Sequence, residues 1–203
     1  MARLVYNWHR WDCNTCRGRY DDSKQDTLLR NINFYKNLKS AENTGVLDMV
    51  RVLFVCWGNI CRSPMAEYIM KDLVREAGLS DIIYVESAAT STEELGNPVY
   101  PPARDELKKH GISCKGHAAR QVRRDDYDRF DYIIAMEDIH WRIMRDRFFG
   151  GKDDKISLCM DYSSHPGEQI DDPWYTGDFV TAYRQIREGC EGLLKSIQKE
   201  HSL

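Results

Sequence analysis

From residue 51 onwards, short apolar runs alternate with segments of helical periodicity, and this alternation restricts the chain to few folds. Four runs predict buried strands over residues 51–56, 81–86, 130–136 and 155–159. Helical patterns follow them over 64–77, 102–110, 139–148 and 179–198. Strands that alternate with helices are typical of an α/β domain with parallel strands and right-handed crossovers. We therefore predict an open, mostly parallel four-stranded sheet with helices on both faces.

Residues 1–48 differ from this pattern, because apolar residues are sparse and only 27–41 has helical spacing. We predict an N-terminal helical extension of unknown role over 1–48, followed by one larger domain over 49–203. Cys13 and Cys16, with His9 nearby, could supply half of a zinc site, although such a site needs a second ligand pair. A leader, a docking helix and an oligomerisation helix stay open as alternatives.

Charge and cysteine usage narrow the class of protein. The 29 Lys and Arg against 32 Asp and Glu give a net charge of −3, which does not favour nucleic-acid binding. No apolar run approaches the roughly 18 residues that cross a bilayer. The seven cysteines lack a disulfide spacing, and residues 1–25 lack the apolar core of a secretory signal. We expect a cytoplasmic protein without nucleic-acid or membrane partners.

The segment that follows the first strand, Cys56-Trp-Gly-Asn-Ile-Cys-Arg-Ser-Pro64, lies where parallel sheets bind ligands. Gly58 and Asn59 tolerate the positive φ that a tight loop needs. Ser63 is a favourable helix N-cap and Pro64 a favourable first helical residue, so we expect the helix to begin there. A loop of backbone N–H groups at a helix N-terminus binds an anion.

A phosphate in this loop would give Cys56 and Arg62 clear chemical roles. The planar guanidinium of Arg62 can hold two phosphate oxygens and stabilise them as charge redistributes. Cys56 would lie beneath the phosphorus, where the helix dipole, the loop amides and Arg62 favour a thiolate. Because a cysteine and an arginine at this spacing also occur in ordinary cores and helices, the prediction depends on the strand, glycine, serine and proline around them.

The sequence here resembles the low-molecular-weight protein tyrosine phosphatases, whose loop reads Cys-x-Gly-Asn-x-Cys-Arg-Ser. Every fixed position of that loop is matched, and the resemblance covers about residues 50–199 in the family's order. The further matching segments are Glu86–Ser91, Gly96–Pro98, His110–Ile112, His117–Gln121, Asp131–Met136 and Asp172–Tyr175.

The resemblance implies a mechanism without metal or cofactor. Cys56 would attack the phosphoester and form a phosphocysteine, and Arg62 would bind the phosphate. Asp172 would protonate the leaving phenolate and later activate water; its place before Pro173 selects it over Asp171. Trp57, Gly58, Asn59, Ile60, Cys61 and Ser63 would complete the phosphate loop.

Supporting roles are implied for residues around the loop. Asn59 would hold the loop's shape with Ser87 as its partner, and Ser63 would hydrogen-bond the thiolate. His117 with Glu67 and Glu86 would form a network behind the loop. Cys61 would protect the nucleophile through a reversible disulfide.

The implied substrate is a phosphotyrosine-containing protein or peptide, bound by a monomer or a weak homodimer. Trp57, Ile60, Trp174 and Tyr175 would line a cleft that suits a flat aromatic ring. Ile60 favours phosphotyrosine over phosphoarginine, because the arginine-specific branch that resembles this loop typically has Thr there. The acidic pair Glu93–Glu94 replaces an aromatic wall and should disfavour acidic residues beside the phosphotyrosine.

Two alternatives belong to other functional classes. Arsenate reductases share the fold and the loop, but they need additional, closely paired cysteines, whereas Cys114 and Cys159 lie far apart in this sequence. A non-catalytic phosphate-binding protein is the other alternative, and the presence of Cys56, Arg62 and Asp172 disfavours it.

Overall fold

The structure, a computed structural model, describes residues 49–203. The predicted extension over 1–48, with its helix and its Cys13–Cys16 pair, lies outside the described residues. The strands are β1 (Val50–Cys56), β2 (Ile83–Ala89), β3 (Tyr132–Ala135) and β4 (Ile156–Leu158). The helices are α1 (Arg62–Glu76), α2 (Pro101–Lys109), α3 (Asp126–Arg129), α4 (Asp138–Ile143), α5 (Pro173–Thr176) and α6 (Phe179–His201).

The four strands form one sheet in the order β2-β1-β3-β4, and all three pairings are parallel. Because β1 connects to β2 on one side and its other neighbour, β3, connects to β4 on the other, the connections that leave these two central strands run to opposite sides. Such a switch in strand order opens a crevice at the carboxyl ends of the central strands. The segments that follow β1 and β3 therefore flank the place where a ligand would bind.

Alternate residues of β1 pack on opposite faces of the sheet, as the two-residue period of a strand requires. Val52, Phe54 and Cys56 join a core formed largely with α1, α2 and α6. Leu53 and Val55 join a second core with residues of α3 and the segment after α4. The predicted α/β fold with helices on both faces is confirmed in the described part of the chain.

Several element boundaries differ from prediction, and three of these differences have a structural reason. The second strand runs from Ile83 to Ala89, not over 81–86, because it pairs with β1 to the end, where Ala89 lies opposite Cys56. The helix predicted over 139–148 continues from α4 as a π-helical turn, Met144–Phe148. The first helix begins at Arg62 with Cys61 at the N-cap position, so the prediction that Ser63 caps it is wrong.

Candidate active site

The loop that joins β1 to α1 places a buried thiol directly against a buried hydroxyl. Cys56 is the last residue of β1, and its Sγ lies 3.0 Å from Ser63 Oγ. Ser63 Oγ is also 3.3 Å from the carbonyl oxygen of Ala88. A hydroxyl has one proton to donate. Ser63 would donate its hydrogen bond to Cys56 if Cys56 is a thiolate, and to the Ala88 carbonyl if Cys56 is a thiol. This arrangement explains why Ser63 does not cap the helix: its side chain faces the cysteine.

Asn59 holds the loop from inside. Its φ of 58° is left-handed, which asparagine tolerates better than most residues, and its side chain is fully buried. Its Nδ2 donates to Ser63 Oγ (2.9 Å) and Ser87 Oγ (2.7 Å), and its Oδ1 accepts from the backbone N–H of Arg120 (3.1 Å). The contact predicted with Ser87 is therefore present, and the amide is bonded at both ends.

Of the two residues predicted to tolerate a positive φ, Asn59 takes one and Gly58 does not. A Cβ at Gly58 would instead come within 3.1 Å of Glu94 Cγ. The glycine is thus explained by the close approach of a neighbouring loop, not by backbone conformation.

His117 and Glu67 lie behind the loop, as predicted. His117 Nε2 is 2.8 Å from the carbonyl oxygen of Asn59, so it carries the proton and donates there. Its Nδ1 is 3.9 Å from Glu67 Oε2, which also accepts from Ser87 Oγ. Glu86 was expected in the same network, and this expectation is wrong, because Glu86 binds Arg120 at 2.6 Å.

Arg62 is almost completely buried, and its two terminal nitrogens face different partners. Nη1 lies 2.7 Å from both Glu137 Oε2 and the carbonyl oxygen of Ile170. Nη2 lies 2.6 Å from Asp172 Oδ2. Nε has no hydrogen-bond partner among the described residues. Nη1 is thus held by two protein groups, while Nε and Nη2, once a phosphate displaces Asp172 from Nη2, form the edge of the fork that could take two phosphate oxygens.

Asp172 is placed by the start of α5. Its Oδ1 accepts from the backbone N–H of Trp174 at 3.1 Å, which is the contact of a helix N-cap. Its Oδ2 is the atom that faces Arg62. No contact joins the neighbouring Asp171 to Arg62 within residues 49–203, so the geometry favours Asp172 of the two predicted candidates.

The cysteine, the arginine and the aspartate open into one cleft of about 160 Å³. The four predicted cleft residues all line it: Trp57, Ile60, Trp174 and Tyr175. Glu93 and Glu94 form part of the same wall, and Glu93 accepts a hydrogen bond of 2.9 Å from Trp57 Nε1. The lining of the mouth therefore combines aromatic and acidic side chains.

Comparisons with known proteins agree with this geometry. The sequence model described as low molecular weight phosphotyrosine protein phosphatase matches residues 51–203. The chain belongs to this family. It is 43% identical over 156 residues to the low molecular weight protein-tyrosine-phosphatase YfkJ of Bacillus subtilis, covering 76% of this chain and all of that protein. It is 40% identical over 148 residues to the family's rat member, covering 71% of this chain and 93% of that protein.

Solved structures of family proteins are similar in fold. The crystal structure of YfkJ from Bacillus subtilis matches with a TM-score of 0.73 and 44% identity, covering 75% of this chain and 97% of that chain. A protein tyrosine phosphatase from Entamoeba histolytica, with Hepes in its active site, matches with a TM-score of 0.70 and 28% identity. That match covers 74% of this chain and 98% of the other.

Within this phosphatase fold, two residues near Arg62 were missed by the sequence analysis. Glu137 binds Arg62 Nη1, and its Oε2 is 3.6 Å from Nε2 of the buried His140. Burial, with the positive charge of Arg62, lowers the pKa of His140 to about 3, so its ring is neutral. The sequence places Glu137 after a predicted strand, but its contact with Arg62 depends on that strand lying beside β1, which the sequence pattern does not specify.

Cys61, the second thiol of the loop, is buried and lines the same cleft as Cys56. Burial raises the pKa of its thiol, and the negative charges of Cys56 and Asp172 add to that shift. Cys61 is therefore a protonated thiol beside the predicted nucleophile Cys56. Its protective role stays a prediction.

Two findings concern other classes of partner. In the part of the chain that the structure describes, no group of three or more His, Cys, Asp or Glu side chains could hold a metal ion. Among the same residues, no helix has the length and apolar character needed to cross a bilayer.

Proposed function

We propose that this family member is a protein tyrosine phosphatase in which Cys56 is the nucleophile, Arg62 binds the phosphate and Asp172 is the general acid and base. One observation carries the proposal: Cys56, Arg62 and Asp172 all line one small cleft at the carboxyl end of β1. Such a cleft can hold a phosphate between a thiolate and a proton donor.

The reaction proceeds in two displacements. The Cys56 thiolate attacks phosphorus, an S–P bond forms, and the bond between phosphorus and the tyrosyl oxygen breaks while Asp172 gives that oxygen its proton. Water then attacks the phosphocysteine as Asp172 takes a proton from it, and the S–P bond breaks. Inorganic phosphate leaves, and the Cys56 thiolate is restored with Asp172 protonated again.

Arg62 links substrate binding to the position of the acid. Without substrate, its Nη2 is bound to Asp172, and a phosphate dianion competes for that nitrogen. When phosphate takes Nε and Nη2, the Asp172 carboxyl is released towards the leaving oxygen. Glu137 and the Ile170 carbonyl keep hold of Nη1, so the guanidinium stays oriented through the exchange.

The walls of the cleft favour phosphotyrosine among phosphorylated residues. Trp57, Trp174 and Tyr175 are exposed at its mouth, where they can stack on a flat ring. Ile60 presents an apolar side chain where the phosphoarginine-specific branch typically has a hydroxyl. Protein arginine phosphatase remains the second candidate, and the same assay separates the two.

The test is hydrolysis of a phosphotyrosine peptide by the full chain, with EDTA and a thiol reductant present. We expect metal-independent turnover, with a loss of about 10⁴-fold or more in Cys56→Ser. Turnover of a phosphoarginine peptide in place of phosphotyrosine would overturn the assigned specificity, and full activity in Cys56→Ser would overturn the mechanism.

Leaving groups of different acidity test Asp172 separately. In Asp172→Asn, kcat/KM should fall by about 10²-fold or more for phenyl phosphate, whose leaving oxygen needs a proton. The loss should be clearly smaller for p-nitrophenyl phosphate, whose leaving phenolate is stable without one. Asp171→Asn is the matched control and should behave as the wild type, and an equal loss for both substrates in Asp172→Asn would exclude the acid role.

A further inference from the structure

A second and larger cavity, the side pocket, lies beside the catalytic cleft. Its volume is about 720 Å³, which is in the range of ligand-binding cavities. The loop over 97–100, α2 and the turn over 111–117 form its walls. The family's chemistry, as proposed above, leaves this cavity without a role.

The two cavities share a wall. Ile60 and Glu94 line both of them, and the backbone N–H of Tyr100 in the side pocket donates to the Ile60 carbonyl at 2.8 Å. The ring of Tyr100 packs on Trp174 of the cleft, with their centroids 4.8 Å apart. A polypeptide whose phosphotyrosine fills the cleft can therefore cross this wall within a few residues, since each extended residue spans about 3.3–3.6 Å.

The charge of the side pocket is opposite to that of the acidic cleft wall. Arg104, Lys108 and Lys115 contribute to its lining, and Glu94 is the single carboxylate among its lining residues. Asn97 Nδ2 donates to that carboxylate at 2.6 Å. Within residues 49–203, neither Lys108 nor Lys115 forms an ion pair, and both are exposed.

The remaining lining is apolar or neutral. Val99 and Ile112 are buried side chains that form part of its surface. Arg104 is partly neutralised by Asp105, 2.9 Å away. His117 also belongs to the lining, but its two nitrogens face Asn59 and Glu67. A ligand that combines an apolar side chain with carboxylates matches this surface.

We propose that the side pocket binds the segment of the substrate polypeptide next to the phosphotyrosine, and that it selects segments carrying Asp or Glu together with an apolar residue. The proposal rests on the proposed phosphatase function and adds a substrate class to it. It also refines the expectation that Glu93 and Glu94 disfavour acidic neighbours: that effect applies on the side of the cleft where the acidic wall lies, and the side pocket favours acids on the other.

The experiment uses the full chain and four phosphotyrosine peptides of equal length. Two peptides carry acidic residues and one leucine, the first on the amino side of the phosphotyrosine and the second on the carboxyl side. The third is neutral on both sides. In the fourth, lysines replace the acidic residues. We expect kcat/KM for one acidic peptide to exceed that for the neutral peptide about tenfold, mainly through KM, and the advantage to shrink at high salt. Equal values for all four peptides would overturn the proposal.

Charge reversal then locates the preference. Lys108→Glu with Lys115→Glu should remove the tenfold advantage, while turnover of p-nitrophenyl phosphate, which has no flanking residues, stays within about twofold of the wild type. The matched control is Lys195→Glu with Lys199→Glu on α6, which changes the net charge equally and lies outside the pocket. An equal loss in the control would show that net charge is responsible, and the proposal would fail.

Filling the cavity tests its shape independently of charge. Ser113 is exposed and contributes to the lining, so Ser113→Trp should lower kcat/KM for the favoured acidic peptide and leave p-nitrophenyl phosphate unaffected. An unchanged peptide preference in this variant would contradict binding inside the cavity. If the wild-type chain hydrolysed none of these substrates, that result would contradict the proposed function itself and not only the role of the side pocket.

Discussion

The two sides of the phosphate loop are held by different kinds of interaction. On the inner side, Asn59, Ser63 and Ser87 form short hydrogen bonds in which both sides of the Asn59 amide are used. On the cleft side, Arg62 contacts the carboxylates of Glu137 and Asp172. The first set joins mostly neutral groups, and the second joins full charges.

This difference corresponds to what each side has to do. Neutral hydrogen bonds between buried groups fix one backbone shape, because any rearrangement leaves a donor or acceptor without a partner. Ion pairs at the cleft can be exchanged, because an incoming phosphate offers Arg62 the same kind of partner that Asp172 provides. The inner side is therefore expected to tolerate change poorly, whereas the cleft side should respond in graded steps.

Among the residues that hold the loop, the largest effect is expected from Asn59, because its substitution removes the hydrogen bonds of the inner side. Asn59→Ala loses the contacts to Ser63 and Ser87 and puts a Cβ-only side chain at a φ of 58°. We expect kcat to fall about 100-fold, because a displaced loop misplaces the nucleophile. The free energy of unfolding should fall by about 2–3 kcal/mol. Peptide kinetics and urea unfolding measure the two effects.

Asn59→Gly separates the two causes, because glycine accepts the left-handed φ without the side-chain contacts. It should recover about 1 kcal/mol of stability relative to Asn59→Ala but almost none of the lost kcat. If both variants kept wild-type kcat, the inner side would not position the nucleophile, and the contrast between the two sides would be lost.

The inner side of the loop was easier to predict from the sequence than the cleft side. The loop residues could be predicted, because they form a contiguous motif with strong local constraints: a strand end, a tight loop and a helix start. Asp172 was predicted from the resemblance to the phosphatase family, and its place before Pro173 selected it over Asp171. Glu137 and His140 could not be identified in this way, because their importance depends on β3 lying next to β1. Strand order is a tertiary property, and no local pattern around Glu137 encodes it.

The predictions that were wrong, for Ser63 and Glu86, also have physical explanations. Ser63 has the local signature of an N-cap, but its hydroxyl faces Cys56, and the helix begins at Arg62, two residues before the predicted start. Glu86 was assigned to the wrong partner, because Arg120 on the neighbouring segment binds its carboxylate at 2.6 Å. The fold class was easier to predict than these contacts, since it depends on periodicities repeated over the whole domain.

A smaller effect is expected from Glu137, which sharpens the description of the cleft side. Glu137→Gln keeps the size of the side chain but removes the charge that holds Arg62 Nη1. Because the Ile170 carbonyl still accepts from the same nitrogen, we expect kcat/KM to fall only about tenfold. The matched control is Asp138→Asn, the next acid along the chain, whose partner is the exposed Arg142.

The measurement for Glu137 is kcat/KM for p-nitrophenyl phosphate together with competitive inhibition by inorganic phosphate. Both should weaken by a similar factor if Glu137 orients the guanidinium that binds phosphate. Unchanged phosphate inhibition in Glu137→Gln would mean that Arg62 is positioned without it, and Glu137 would then be only a structural neighbour.

The smallest effect concerns the neutral histidine behind the charged side. Because the pKa of His140 is lowered to about 3, the unfolded chain, with a histidine pKa of about 6.5, binds one more proton between these values. The contribution of His140 to stability is therefore fully present above about pH 6.5. It is lost as pH falls towards 3, with a slope of up to about 1.4 kcal/mol per pH unit.

Urea unfolding between pH 7 and pH 4 tests this sign, with slopes compared instead of absolute stabilities. As pH falls, His140→Gln should lose stability less steeply than the wild type. The difference in slope should correspond to about one bound proton, because carboxylate titration is common to both proteins. Equal slopes in both proteins would mean that His140 is charged when folded. It would then compete with Arg62 for Glu137, and the cleft side would be held by a different balance of charges from the one described above.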